Sequence, residues 1–157
     1  NNDDNSNTPQ LFGARDATDL NWVQLLNSYS CTECGRCSSV CPANQTGKLL
    51  SPRKIMMDTR DRIEEIGSNS AIDDEKFLLG DYITKEEIWA CTTCNACTDA
   101  CPINLDPLSI IVDLRRYLVM EESSAPTELN NMFSNVENNG APWKFPADDR
   151  LNWLNNK

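Results

Sequence analysis

The chain has 157 residues, with 24 acidic and 14 basic side chains and a formal net charge of −10. That length suits one domain with a modest core, and the acidic balance argues against a nucleic-acid binder, which normally presents a basic patch. There is no histidine, which excludes Ser–His–Asp and Cys–His nucleophile systems, a His-ligated haem, a Rieske centre and any zinc site built on imidazole.

In chain order, residues 1–10 are polar and read as a disordered N-terminal segment. They do not resemble a signal peptide, which is basic and then apolar. The first residue is Asn rather than Met, and with the end at Lys157 this suggests a fragment, a split subunit or a portion of a longer protein. Residues 19–29 read as a helix whose inward face is Leu20, Val23 and Leu26 or Trp22, Leu25 and Tyr29. A second helix is expected over 52–66, started by Ser51-Pro52, carrying Ile55, Met56, Ile63 and Ile66, and stopped at Gly67. Segment 68–83 reads as a connector. Thr84 and Glu87 form a capping-box pattern that opens a short helix to Ala90. Asp106-Pro107 starts a helix over 107–121, with Leu108, Ile111, Leu114 and Leu118 at helical spacing. Residues 126–137 read as a last helix ended near Gly140. No segment alternates as a strand does, and no apolar run approaches the ~20 residues of a membrane span. The expected fold is all-α.

The cysteines carry the chemistry. Cys31, Cys34, Cys37 and Cys41, followed by Pro42, read C-x2-C-x2-C-x3-C-P. Cys91, Cys94, Cys97 and Cys101, followed by Pro102, repeat that spacing, and no cysteine lies elsewhere. Aligning Ser30–Asn44 with Ala90–Asn104 gives seven identities in fifteen positions. Each motif is followed by a short loop and a long helix, so the unit is cluster motif plus helix, used twice.

This spacing is that of a [4Fe–4S] ligand run. Three thiolates two residues apart wrap one face of a cubane, and the amides between them point at its sulfurs. The fourth cysteine sits a helical turn further on and, in two-cluster ferredoxins, binds the other cluster. The expected sets are therefore crossed: Cys31, Cys34, Cys37 and Cys101 for one cluster, and Cys91, Cys94, Cys97 and Cys41 for the other. The proline after each fourth cysteine keeps that cysteine out of the α region. The alternative is a structural zinc-binding interaction module, although structural zinc usually pairs two C-x2-C arms. A disulfide framework needs an oxidising compartment, which nothing here suggests. A reductase acting on substrate at a cluster needs an iron with an exchangeable site, and all eight ligand positions are filled.

The motifs and their flanks resemble the helical two-cluster ferredoxin family, and within it the heterodisulfide reductase C-subunit and the heterodisulfide-reductase-like, glycolate-oxidase-type Fe–S oxidoreductases. The residues that carry the resemblance are Cys31-Thr-Glu-Cys34-Gly-Arg-Cys37, Leu50-Ser51-Pro52-Arg53, Trp89-Ala90-Cys91-Thr92-Thr93-Cys94, and the tail Asn138–Trp143 with Arg150 and Trp153. The resemblance implies a helical scaffold in which two motif–helix units pair about a pseudo-twofold axis. It implies an electron-transfer module of an oxidoreductase complex, relaying single electrons from a flavoprotein-like donor to a quinone-linked partner or a Cys-Cys-Gly domain. This chain has no Cys-Cys-Gly motif, so no substrate site and no catalytic residue is assigned to it. The organisation expected is a dicluster domain over 11–125 and a helical tail over 126–157 leading to a partner or a further domain. The expected location is the cytoplasm, at the inner face of the membrane where a partner or a missing segment holds it there.

Other residues carry weaker signals. Arg36, between two cysteines, is a charge able to raise a cluster potential or simply a solvated surface group. Trp22, Trp89, Trp143 and Trp153 read as core or interface packing, Met56-Met57 as core filler, and Glu86-Glu87 as helix-start charge.

Overall fold

The computed structural model describes residues 11–68 and 75–155; the segment expected to be disordered, residues 1–10, lies outside them, as does part of the expected connector. The chain divides into two compact units, one running to Glu122 and the other from Ser123. Both are helical, and no strand forms among the described residues. No described helix is long and apolar enough to cross a membrane.

Among the described residues the first unit holds seven α-helices: α1 Trp22–Ser30, α2 Arg36–Ser39, α3 Pro42–Gln45, α4 Pro52–Ser68, α5 Lys85–Ala90, α6 Ala96–Asp99 and α7 Pro107–Met120. Their starts follow the expected local chemistry. Asn21 caps α1 by accepting from the amides of Val23 and Gln24. Thr84 and Glu87 form the capping box of α5. Asp106 accepts from the amides of Leu108 and Ser109, with Pro107 at the first helical position of α7.

The long helices α4 and α7 build the core. Ile55 and Met56 of α4 are buried with Ile110, Ile111, Leu114 and Leu118 of α7, and Leu50, Leu78, Ile83 and Ile88 close around them. The buried face of α4 is not the fully apolar stripe expected from its sequence. Thr59 and Arg62 are buried there, whereas Ile63 and Ile66 are half-buried. Thr59 returns its hydroxyl to the Ile55 carbonyl at 2.7 Å. Arg62 donates to Asp16 Oδ2 at 2.8 Å and to the Lys76 carbonyl at 2.6 Å. Gly67 does not stop α4, which runs through it to Ser68.

Helix α1 also departs from its sequence pattern. Its buried residues are Gln24 and Ser28, while Trp22, Val23, Leu26 and Tyr29 are exposed and only Leu25 packs partly inward. The polar face is tolerated inside because its hydrogen bonds are made. Gln24 donates to Asp113 Oδ2 on α7 at 2.7 Å and accepts from the Asn21 amide, and Ser28 donates to the Leu25 carbonyl.

The chain entering α1 lies directly on α7. Gly13, at φ +88°, sits where a Cβ would fall 2.4 Å from the Asp113 carbonyl oxygen, so this close approach requires glycine. A turn at Leu78–Tyr82 closes the connector and is held by Leu79 N donating to the Arg15 carbonyl at 3.0 Å. Lys54 of α4 binds Asp58, Glu87 and the Tyr82 carbonyl together, tying this turn and α5 to the long helix.

The second unit contains α8, Thr127–Asn139, and a short α9, Asn152–Asn155. Gly140 ends α8 in the left-handed conformation, and Arg150 donates to its carbonyl at 3.0 Å. Of the tryptophans, Trp22, Trp143 and Trp153 are at least half exposed, so of the core or interface packing expected of them only the core is ruled out. Trp89 is half-buried against the core.

Candidate iron–sulfur centres

Each motif is framed by helices in the same way. Cys31 is the extended residue that ends α1, and Cys91 ends α5 with nearly the same backbone, φ −69° in both. The loop that follows turns through two left-handed residues: Glu33 and Gly35 in the first motif, Thr93 and Asn95 in the second. These turns swing the amide groups to the inner side of the loop, where sulfur needs donors. One such bond is formed within the protein, from the Thr93 amide to Cys91 Sγ at 3.4 Å. Cys37 and Cys97 then lie in the short helices α2 and α6. Cys41 is extended before Pro42, which opens α3, and Cys101 enters a turn through Pro102.

The motifs are fastened to the long helices by hydroxyl groups that their spacing does not reveal. Ser38 Oγ lies 2.8 Å from Ser51 Oγ and accepts from the Arg53 amide at the start of α4. At the matching place in the second motif, Thr98 donates to Asp106 Oδ1, the cap of α7. The residue after the third cysteine therefore fixes the start of the helix that follows its own motif.

The eight cysteines border two solvent-open hollows of about 440 and 310 Å³. The larger is lined by Cys31, Cys34, Cys37 and Cys101, the smaller by Cys91, Cys94, Cys97 and Cys41; Cys97 reaches the edge of the larger as well. Cys34 and Cys94 are exposed, Cys41 and Cys97 buried, and the rest intermediate. Among the described residues, no three metal-binding side chains close on one point as a single ion requires. The cysteines instead line hollows, a setting that suits a cubane whose four irons each take one thiolate. Burial pushes the Cys37, Cys91 and Cys97 thiols upward, while the Ala96 amide and the Thr92 side chain draw the exposed Cys94 downward.

The charges around the hollows differ. The larger is bordered by Glu33, Arg36 and Arg53, both arginines being exposed. Among the described residues, none that is charged lines the smaller. Two arginines that sequence spacing alone did not single out stand one layer behind. Arg60 of α4 is paired with Glu33. Arg115 of α7 donates to the carbonyls of Ile88 and Cys91 and stacks on the Trp89 ring at 5.0 Å. Sliding α4 onto α7 from their prolines, Pro52 and Pro107, superposes these two positions, which is the signal that would have found them. Met56 is buried and borders the larger hollow, consistent with packing.

Comparison with known proteins agrees with this geometry. Residues 30–105 match the family described as 4Fe-4S dicluster domain. A probable iron–sulfur-binding oxidoreductase of Bacillus subtilis is 35% identical over 180 aligned positions, covering 93% of this chain and 26% of that protein. A protein of Syntrophomonas wolfei named EtfAB:quinone oxidoreductase is 33% identical, covering 94% of this chain and 24% of its own length. The C-subunit of a ferredoxin/F420H2-dependent CoB-CoM heterodisulfide reductase of Methanosarcina acetivorans is 34% identical, covering 64% of this chain and 52% of that protein. The chain thus spans about a quarter of the first two relatives and about half of the third. It carries a dicluster iron–sulfur domain of this family, its cofactors are two [4Fe–4S] clusters, and its general role is electron transfer.

Proposed function

We propose that this chain relays single electrons between a flavoprotein-like donor and a quinone-linked or Cys-Cys-Gly acceptor, through clusters held by crossed ligand sets. The observation that carries the reading is the lining of the hollows: Cys31, Cys34 and Cys37 meet Cys101 at one, where Cys97 also reaches, and Cys91, Cys94 and Cys97 meet Cys41 at the other. In this reading Cys31, Cys34, Cys37 and Cys101 hold one cluster, and Cys91, Cys94, Cys97 and Cys41 the second. When bound, each cluster supplies a site that takes up and releases one electron.

The chain's own residues do three things. The left-handed loops aim amides inward, the fourth cysteines Cys41 and Cys101 staple the two motifs to each other, and the exposed Cys34 and Cys94 loops leave each centre a face toward solvent. Access on two sides is what a relay needs. Residues 11–125 form the dicluster domain in this reading, and 126–157 a tail toward a partner. A relative's name joins EtfAB to quinone, which supports a donor–quinone chain; in this reading the chain works at the inner face of a membrane, held there by a partner or a further segment.

The test is the iron and acid-labile sulfide content of anaerobically purified chain, with its visible spectrum. About eight irons and eight sulfides, with a brown absorbance that bleaches on dithionite, support the relay. Zinc in place of iron, with no bleaching, overturns it in favour of a structural metal module.

A further inference from the structure

We propose that Arg115 sets the reduction potential of the centre at Cys91, raising it through a half-buried positive charge that no carboxylate neutralises. The inference rests on the reading that Cys91 binds a cluster.

The two motif–helix units offer an internal comparison. Arg60 and Arg115 occupy the same position on α4 and α7, eight residues after the proline that opens each helix. Arg60 is neutralised by Glu33, which stands in the first cysteine loop. The residue at that place in the second loop is Thr93, which carries no charge. Among the described residues, Arg115 therefore has no carboxylate partner. Its guanidinium is held by two carbonyls, those of Ile88 and of the ligand residue Cys91 itself, and lies over Trp89. Three fixed contacts on a planar group leave it little freedom to swing into water.

The sign of the effect follows from charge. A cluster gains one negative charge when reduced, so a nearby cation favours the reduced form and raises the potential. The size depends on screening. Arg36 and Arg53 border the other hollow but are exposed, and exposed charges are screened within a Debye length of about 8 Å at physiological salt. Arg115 is half-buried behind a hollow whose described lining is uncharged, so its field is screened less. It is a positioning and tuning residue, not a ligand.

The experiment is a redox titration of the cluster-loaded chain followed by electron paramagnetic resonance. Three variants are compared with wild type: R115Q, R115K and T93E. R115Q removes the charge and R115K keeps it. T93E replaces none of the groups that hold Arg115 and sets a carboxylate at the position of the second loop that Glu33 holds in the first. Glu33 itself adopts a left-handed backbone at φ 59°, matching the 55° of Thr93, so the substitution is compatible with the loop. We expect one of the two midpoint potentials to fall in R115Q and T93E and to hold in R115K. The fall should change the reduced-to-oxidised ratio about tenfold or more at fixed ambient potential, equivalent to about 59 mV for a one-electron couple. The other midpoint should stay in place. An unmoved potential in T93E, or an R115K potential as low as that of R115Q, overturns the proposal. If R115Q does not load its clusters, an unmoved potential in T93E still overturns the proposal. Failure of the underlying relay reading looks different: the wild-type chain then shows no cluster signals to titrate.

Discussion

On its buried face α4 presents Pro52, Ile55, Met56, Thr59 and Arg62; at the matching positions α7 presents the buried Pro107, Ile110, Ile111 and Leu114 and the half-buried Tyr117. The first half of each face is the same chemistry in the same register. The second half is not. Where α7 continues with leucine against the core, α4 turns polar and completes its packing with a buried ion pair to Asp16. The two cysteine loops nevertheless share one backbone path. The difference teaches that the loops take their shape from their own turn residues and from hydroxyl ties to the helix starts. The far ends of the helices are free to solve burial in different ways.

The sharpest way to break the comparison is at the staples. If the ligand sets are crossed, Cys101→Ser should damage the centre wrapped by Cys31, Cys34 and Cys37, and Cys41→Ser the centre wrapped by Cys91, Cys94 and Cys97. Each variant should lose a large part of one paramagnetic signal and keep the other. Metal binding contributes folding energy in sites of this kind, so both should also lower the denaturation midpoint. If Cys101→Ser removes the signal that responds to Arg115 instead, each motif binds its own cluster and the crossed scheme is wrong.

A smaller but still large effect separates the two long helices. Arg62→Ala leaves Asp16 buried without its guanidinium, and breaking such a pair costs about 3–5 kcal/mol. Leu114→Ala, on the matching part of α7, opens a cavity at a cost of about 2–5 kcal/mol. The pH dependence tells them apart. Burial alone would raise the Asp16 carboxyl, but the Arg62 hydrogen bond and the amides of Ala17 and Leu78 outweigh it and hold the group below its usual 3.8. A carboxyl lowered on folding contributes stability that is fully present above its unfolded value and is lost as pH falls through the folded one. The penalty of Arg62→Ala should therefore be greatest near neutrality and shrink on acidification, while that of Leu114→Ala stays constant. Urea midpoints across the acid range, read from the helical signal, check this; a pH-independent gap for Arg62→Ala would count against a charged Asp16 as the partner.

Much of this was legible in the residues themselves. The caps at Thr84 and Asp106, the prolines that follow Ser51 and Asp106, and Gly140 act over one helical turn, so their local chemistry decides the outcome. Cofactor type was legible because eight cysteines in two identical runs leave few alternatives. The inward faces were less so. The apolar residues of α1 pointed to a face that lies in solvent, because the buried Gln24 found its partners on Asn21 and Asp113. Arg62 reads as surface from its charge, and its burial depends on Asp16, 46 residues away. Arg115 was overlooked for the same reason: its partners are backbone carbonyls brought in from α5, which sequence periodicity does not register.

The smallest effect tests whether the two cysteine loops are interchangeable. Gly35 and Asn95 sit at the same place in their motifs, at φ 80° and 63°, in the left-handed region. Asparagine visits that region more readily than most residues, and glycine does so without strain. A Cβ at Gly35 would meet nothing within 4 Å, so any cost of substitution there is backbone strain rather than collision. Gly35→Asn and Asn95→Gly should thus each shift stability by less than about 1 kcal/mol and leave both clusters loaded. Gly35→Val, which forces a β-branched residue into the left-handed region, should cost about 1–2 kcal/mol and slow cluster assembly in the first motif alone. Denaturation midpoints and iron content of the three variants, measured side by side, decide whether backbone conformation or residue identity is what the two loops have in common. A Gly35→Asn variant as damaged as Gly35→Val would mean that the first loop needs glycine for closeness to the cluster, and that the two loops are alike in path but not in contact.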